Sequence, residues 1–234
     1  LPIYINNVNT NVTISAGEGN DTIRNTGTSD TIDLGAGNDD IYNEGSKVSI
    51  SGGEGNDIIF SSASQVNIDA GNGTNYINNS GENVSITAGT GNDAVYNSSN
   101  NVIINVGDGN NNIYSSGANV NITTGDGNDS INSRAANVTI NAGNGINTVS
   151  SQGNNVIING GASIDNITNS GNSSTINAGA GNDVINNSGA NVSISAGEGN
   201  DIVSVSGSND TIDAGAGDDS IINNASNVSI NAGD

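Results

Sequence analysis

An all-β fold, a parallel β-solenoid of thirteen 18-residue coils, is what this sequence predicts, on three observations. A Gly-x-Gly core, replaced once by Gly161-Ala162-Ser163, recurs every 18 residues without a slip in register, its nonapeptide starting at Ala16, Leu34, Gly52, Ala70 and onward to Ala214. Isoleucine recurs at the same spacing, from Ile14 and Ile32 through Ile212 and Ile230, with no exception. The residues on either side of these isoleucines are mostly Asn, Ser, Thr or Asp, the period-two alternation of a strand with one buried face. A fixed period in this range marks a stacked repeat in which each unit buries its apolar side only against its neighbours. The coils are expected to wind right-handed.

The period divides the 234 residues into thirteen units, and each unit into two nonapeptides. Half A, as in Ala178 to Asn186, joins a Gly-rich turn to a short strand; half B, as in Asn187 to Ser195, carries Val where half A has Asp. Stacking turns each position into a column. Half A contributes Ile23, Ile41, Ile59, Ile77, Val95 and Ile113, and half B contributes its unbroken Ile column plus Val48, Val66, Val84, Val102, Val120 and their equivalents. Two sheets are therefore expected to face each other across a core one side chain thick. Strands this short are unstable alone, but stacked at roughly 4.8 Å they form continuous parallel ladders, and thirteen coils make a rod roughly 60 Å long. Asn83, Asn101, Asn119, Asn137, Asn155 and Asn191 recur at the half-B turn, where Asn tolerates left-handed backbone and can ladder its amide between coils.

Composition sets the partners. Apolar residues make up 32% and aromatic residues 3%, too few for a thick core, and 24 acidic residues face only Arg24, Lys47 and Arg134, for a net charge of −21. On averages alone such a chain would stay disordered; its periodicity overturns that. The charge disfavours nucleic acid and anionic membrane, and cations are the natural partners. There is no Cys and no His. No apolar run is long enough to insert in a bilayer, and Leu1-Pro2-Ile3-Tyr4 lacks the regions of a signal peptide. The repeat is under way at both ends, so residues 1–234 read as one solenoid array cut from a longer one, without caps.

Half A carries the chemistry. Gly52-Gly53-Glu54-Gly55-Asn56-Asp57-Ile58-Ile59 fits the nonapeptide Gly-Gly-x-Gly-x-Asp-x-U-x, with U apolar, of calcium-binding β-helix repeats. The sixth position is Asp at Asp21, Asp39, Asp57, Asp93, Asp129, Asp165, Asp183, Asp201 and Asp219, and Asn at Asn75, Asn111 and Asn147. Stacked carboxylates would repel unless a cation sat among them. Ca²⁺ takes six to eight oxygens, which Gly turns supply as carbonyls and Asp as charge; no Cys or His is present to favour zinc or copper. The Asn positions keep an oxygen but lose charge and are expected to bind more weakly. An Asx-turn would also use the Asp, but would not require Gly at the second and fourth positions with it. One ion per slot gives about eleven, nearly cancelling the chain's charge. In half B, Asp30 and Asp210 replace Val and are either extra ligands or solvated turn residues.

At these residues the chain resembles the RTX family of secreted bacterial repeat proteins, over its full length. The resemblance implies a calcium-bound parallel β-roll that folds outside the cell. Val in half B implies one row of ions rather than two, a pattern similar to the calcium-bound ice-binding β-helix repeats of giant bacterial adhesins. Ice-binding repeats carry a regular Thr row, whereas the matching column here is Glu18, Ala36, Glu54, Asn72, Thr90, Asp108, Asp126, Asn144, Ala162, Ala180, Glu198 and Ala216.

No acid–base constellation stands apart from the repeated columns, so an enzyme is not expected. Tyr42, Tyr96 and Tyr114 follow the half-A Ile or Val and read as exposed strand aromatics, while Tyr4 and Tyr76 lie outside that column. The expected role is a secreted or cell-surface structural element, an adhesin stalk, surface-layer element or filament segment that self-associates end to end or laterally. An ice- or surface-binding module is the alternative.

Overall fold

The computed structural model describes residues 1–233, and the chain divides into two compact units, Leu1–Val120 and Asn121–Asp234. Both are parallel β-solenoids built from the 18-residue coil. In the first unit, seven half-A strands (Tyr4–Asn7, then every 18 residues to Asn112–Ser115) pair in parallel, and six half-B strands (Thr13–Glu18 to Ile103–Asn105) form the opposite sheet. The second unit has six half-A strands, Ser130–Ser133 to Ser220–Asn223, and seven half-B strands, Asn121–Thr123 to Ser229–Asn231. Each residue pairs with its counterpart 18 positions on, as Ile23 with Ile41 and Ile176 with Ile194. This is the expected all-β architecture, with half-A strands of four residues and half-B strands of three or six.

The core is a set of columns. Ile23, Ile41, Ile59, Ile77 and Ile113 from one wall meet Ile50, Ile68, Ile86 and Ile104 from the other, all 0–1% exposed. Val48, Val66, Val84 and Val102 fill one end of the cross-section, and Leu34, Ala70, Ala88 and Val106, at the first position of the Gly-x-Gly core, fill the other. Strand alternation aims these inward and puts the intervening polar residues outside.

A further buried column did not enter the sequence reading. Asn7, Asn25, Asn43, Asn79 and Asn97 in the first unit, and Asn169 and Asn187 in the second, lie two residues after the half-A Ile and so point to the same inner side. Each amide is fully used. Asn79 Nδ2 donates to the Gly81 carbonyl at 2.9 Å and to Asn97 Oδ1 at 2.9 Å, while Asn79 Oδ1 accepts the Gly81 N–H at 3.1 Å. The side chain thus closes the turn within one coil and ties it to the next.

The half-B turn has positive φ in every coil, at Asn83 (57°), Asn101 (58°) and Asn191 (58°) as expected, but also at Ser29, Lys47, Gln65 and Ser173. Stacking imposes the conformation even on poor left-handed residues: the Gln65 N–H donates to the Glu82 carbonyl at 3.0 Å, as Asn101 does to Ala118. The expected amide ladder is present, with Asn119 Nδ2 3.0 Å from Asn101 Oδ1. On the outer face of the first unit the aromatic residues form one file. Tyr42 stacks on Phe60 (5.2 Å, 6°), and Phe60, Tyr76, Tyr96 and Tyr114 follow at centroid separations of 5.8, 5.4 and 6.4 Å. Tyr76 joins the file because it lies two residues from the main column, on the same face.

Two stability changes test this packing by chemical denaturation in saturating calcium. Ile68→Ala should cost about 2–5 kcal/mol by opening a cavity in a filled column. Gln65→Asn should add about 0.5–1 kcal/mol, because Asn occupies left-handed backbone at lower cost.

Candidate metal centre

The half-A turn is shaped by glycine. At its fourth position Gly55 has φ 134°, and a Cβ there would stand 1.8 Å from the Gly37 carbonyl oxygen of the preceding coil. Glycine therefore holds this position in every such turn but one, where Ser163 takes it with φ 82°. The sixth-position side chain then folds back into its own turn and is buried: Asp39, Asp57, Asp165 and Asp183 are 0% exposed and Asp21 and Asp201 are 1% exposed.

One oxygen of each carboxylate has a fixed partner. In the first unit the N–H groups of Ile3, Asp21, Asp39 and Asn75 donate to Oδ1 of Asp21, Asp39, Asp57 and Asp93 at 2.7, 2.7, 2.9 and 2.8 Å. In the second, Asn147, Asp165, Asp183 and Asp201 donate to Asp165, Asp183, Asp201 and Asp219 at 2.9, 2.7, 2.7 and 2.8 Å. The other oxygen, Oδ2, is buried in all eight with no hydrogen-bond donor. A buried carboxylate oxygen without a donor costs several kcal/mol unless a cation faces it.

Two internal comparisons set this carboxylate apart from a plain turn device. Half-B Asp30 and Asp210 are buried too, yet both their oxygens are engaged. Asp30 accepts from the Val12 N–H at 2.8 Å and from Asn7 Nδ2 at 3.0 Å, and Asp210 from the Val192 N–H and Asn187 Nδ2, each at 2.9 Å. They are buried rather than solvated, and neither leaves an oxygen without a donor. In half A, Asn75 shows what the second branch of the side chain faces: its Nδ2 donates to the Gly71 carbonyl at 3.2 Å, and Asn147 Nδ2 to the Gly145 carbonyl at 3.0 Å. An Asp in that place directs a second oxygen at carbonyl oxygens, an arrangement that a cation, or at low pH a proton on that oxygen, relieves. Asn75, Asn111 and Asn147, expected as weaker ligands, present a nitrogen rather than an oxygen to the turn carbonyls. Among the described residues no three carboxylates converge, so an ion here would take one carboxylate per turn and most of its oxygens from backbone, as hard Ca²⁺ accepts.

Burial raises six of these acids. Desolvation pushes Asp57, Asp93 and Asp165 from 3.8 up to about 6, opposed by their backbone N–H bonds, and raises Asp39, Asp183 and Asp201. Neighbouring carboxylates add repulsion, as Asp183 does for Asp165.

Fold and site together define a parallel β-solenoid with one row of cation-seeking carboxylates along its Gly-rich turns. The chain belongs to the RTX calcium-binding nonapeptide repeat family, whose model matches residues 15–45, 51–83, 105–140 and 193–230. Among solved structures it is similar to the crystal structure of a hyperactive, Ca²⁺-dependent, β-helical antifreeze protein from an Antarctic bacterium. The TM-score is 0.67 at 25% identity, over 90% of this chain and 83% of that one. No curated protein matches it by sequence.

The raised acids fix a pH dependence. A folded-state value above the unfolded one favours folding at low pH, and that contribution disappears as pH rises from about 4 through about 6. In metal-free buffer, thermal melting followed by circular dichroism should therefore occur at higher temperature at pH 5 than at pH 7.5. Calcium should reverse the order, because protons compete with the ion below about pH 6. At pH 7.5, chelation with EGTA should lower the β-sheet signal and speed proteolysis.

Proposed function

We propose that the protein is an extracellular or cell-surface structural element, a calcium-stiffened repeat serving as an adhesin stalk, surface-layer element or filament segment. The observation that carries this reading is the uniformity of the coil. The inward columns are filled mostly by Ile, Val, Ala, Asn and Ser, and a buried carboxylate oxygen without a donor recurs in most of the half-A turns. Such a design resists deformation wherever calcium is at millimolar levels, as outside cells, and would be poorly filled at the far lower calcium of cytoplasm. Its titratable side chains recur in columns and no unique acid–base pair is set apart, which supports a non-enzymatic role. Among the described residues no helix is long and apolar enough to cross a membrane. One unbroken 18-residue register runs through the sequence of both units, which supports a single array with Asp21, Asp39, Asp57, Asp93, Asp129, Asp165, Asp183, Asp201 and Asp219 as its calcium ligands. Self-association, end to end or lateral, suits such a part.

Ice binding is the second reading, favoured by the similarity to the antifreeze β-helix. The third-position row argues against it. In the first unit Glu54 pairs with Asn72 and Thr90 with Asp108, so the row is a true surface file, but acids, amides, Ala and Thr alternate along it. A charged, uneven row cannot present the flat periodic array that ice requires. The two readings separate in one experiment, with calcium present. At micromolar protein we expect no thermal hysteresis and, by negative-stain electron microscopy, straight rods or filaments. Hysteresis well above that of a non-binding control would reverse the ranking.

A further inference from the structure

Three sixth-position residues break the acidic row at every second coil, Asn75, Asn111 and Asn147, and the structure treats them differently from the aspartates. Their Oδ1 atoms take the same role, accepting the N–H of Asp57, Asp93 and Asp129 at 3.0, 2.9 and 3.0 Å. Their nitrogens point where the aspartates have Oδ2. Asn111 Nδ2 donates to the carbonyls of Gly107 and Gly109 at 3.2 and 3.0 Å, Asn75 Nδ2 to Gly71 and Asn147 Nδ2 to Gly145. Flipping any of these amides would set an oxygen against carbonyls and an NH₂ against an N–H, so the orientation is determined on both sides.

The backbone supplies a second, independent observation. The second-position glycine has φ between 96° and 119° in the turns of Asp21, Asp39, Asp57, Asp165, Asp183, Asp201 and Asp219, but 68–79° at Gly71, Gly107 and Gly143, in the three Asn turns. The half-B strand entering the turn is six residues long before each of those seven aspartates and three residues long from Asn67–Asp69 to Thr139–Asn141, the coils that lead to Asn75, Asn111 and Asn147 and also to Asp93 and Asp129 between them. The φ of the second-position glycine thus sets the Asn turns apart, while the shorter entering strand is shared with the intervening Asp93 and Asp129 turns, where pairing continues as single bridges such as Glu54 with Asn72.

We propose that Asn75, Asn111 and Asn147 are not calcium ligands but metal-independent latches, whose amide hydrogens occupy the carbonyl oxygens that an ion holds elsewhere. The number of ions bound then follows the sixth-position aspartates and not the number of inter-turn slots. A neutral latch also removes one member of a repelling carboxylate pair on either side, so these turns stay closed in calcium-free solution. This rests on the aspartate row being the calcium site.

The test is calcium stoichiometry, by equilibrium dialysis with elemental analysis, together with thermal melting in excess EGTA. Asn75→Asp and Asn147→Asp should each bind one ion more than the natural sequence and melt lower in EGTA. Asp57→Asn and Asp183→Asn should each bind one fewer and melt higher in EGTA; Asn already serves at this position in three coils, so these variants should fold. If the natural chain binds calcium but Asn75→Asp and Asn147→Asp leave the count unchanged, the latch is wrong while the calcium row stands. If the natural chain binds none, the row itself is wrong.

Discussion

Within each unit, every residue of this protein lies over the residue 18 positions away, and that superposition of like on like governs the rest. Parallel pairing in a fixed register satisfies the backbone, but it makes each side-chain choice collective. An apolar residue placed in a column becomes a continuous seam. A carboxylate placed in one becomes a row of charges about 4.8 Å apart, each pair repelling by about 1 kcal/mol even in water. With a core only one residue thick, the coil has no room to turn such a row outward without losing the turn that carries it.

The polar columns resolve this in different ways. The inner Asn column uses a side chain that is donor and acceptor at once, so stacking it adds bonds instead of charge: Asn25 donates to Asn43 Oδ1 at 3.0 Å and to its own Gly27 carbonyl. The half-B acids Asp30 and Asp210 occur singly and borrow a donor from that Asn column, through Asn7 and Asn187. The half-A acids recur from coil to coil with no such lender, since their own backbone ladder supplies one N–H per carboxylate. One oxygen is left over in each, and a divalent ion is the donor-free way to use it. Calcium binding thus follows from repeating an acid in register, with the solenoid providing the repetition.

The solenoid, its period, its two walls and the aspartate row were legible in the sequence because each is a periodic property, and Ile, Val, Gly and Asp recur at fixed phase. The left-handed half-B turn was legible at Asn83 or Asn191 for the same reason, and less so at Lys47 and Gln65, where stacking overrides residue preference. The inner Asn column was missed although its period is the same. Asn25 and Asn43 look like surface polar residues until strand alternation is counted two steps on from Ile23 and Ile41. The aromatic file was missed because it zigzags between two columns of one face, and Phe60 completes it. The fate of Asp30 and of Asn75 was out of reach. Both depend on which branch of a side chain meets which backbone atom, and spacing carries no information about that.

Because stacked coils touch only their neighbours, stability in such an array is close to a sum of coil and interface terms. An ion shared with one turn's carbonyls therefore stabilises locally, and its loss is felt in the adjoining coils before the distant ones. A row of aspartates without interruption would make long stretches depend jointly on calcium, since emptying one slot exposes the charge of the next. Neutral asparagines spaced two coils apart cut that dependence into short runs, Asp21 to Asp57 in the first unit and Asp165 to Asp219 in the second. A mixed row thus confines the effect of local ion loss, at the cost of a few bound ions.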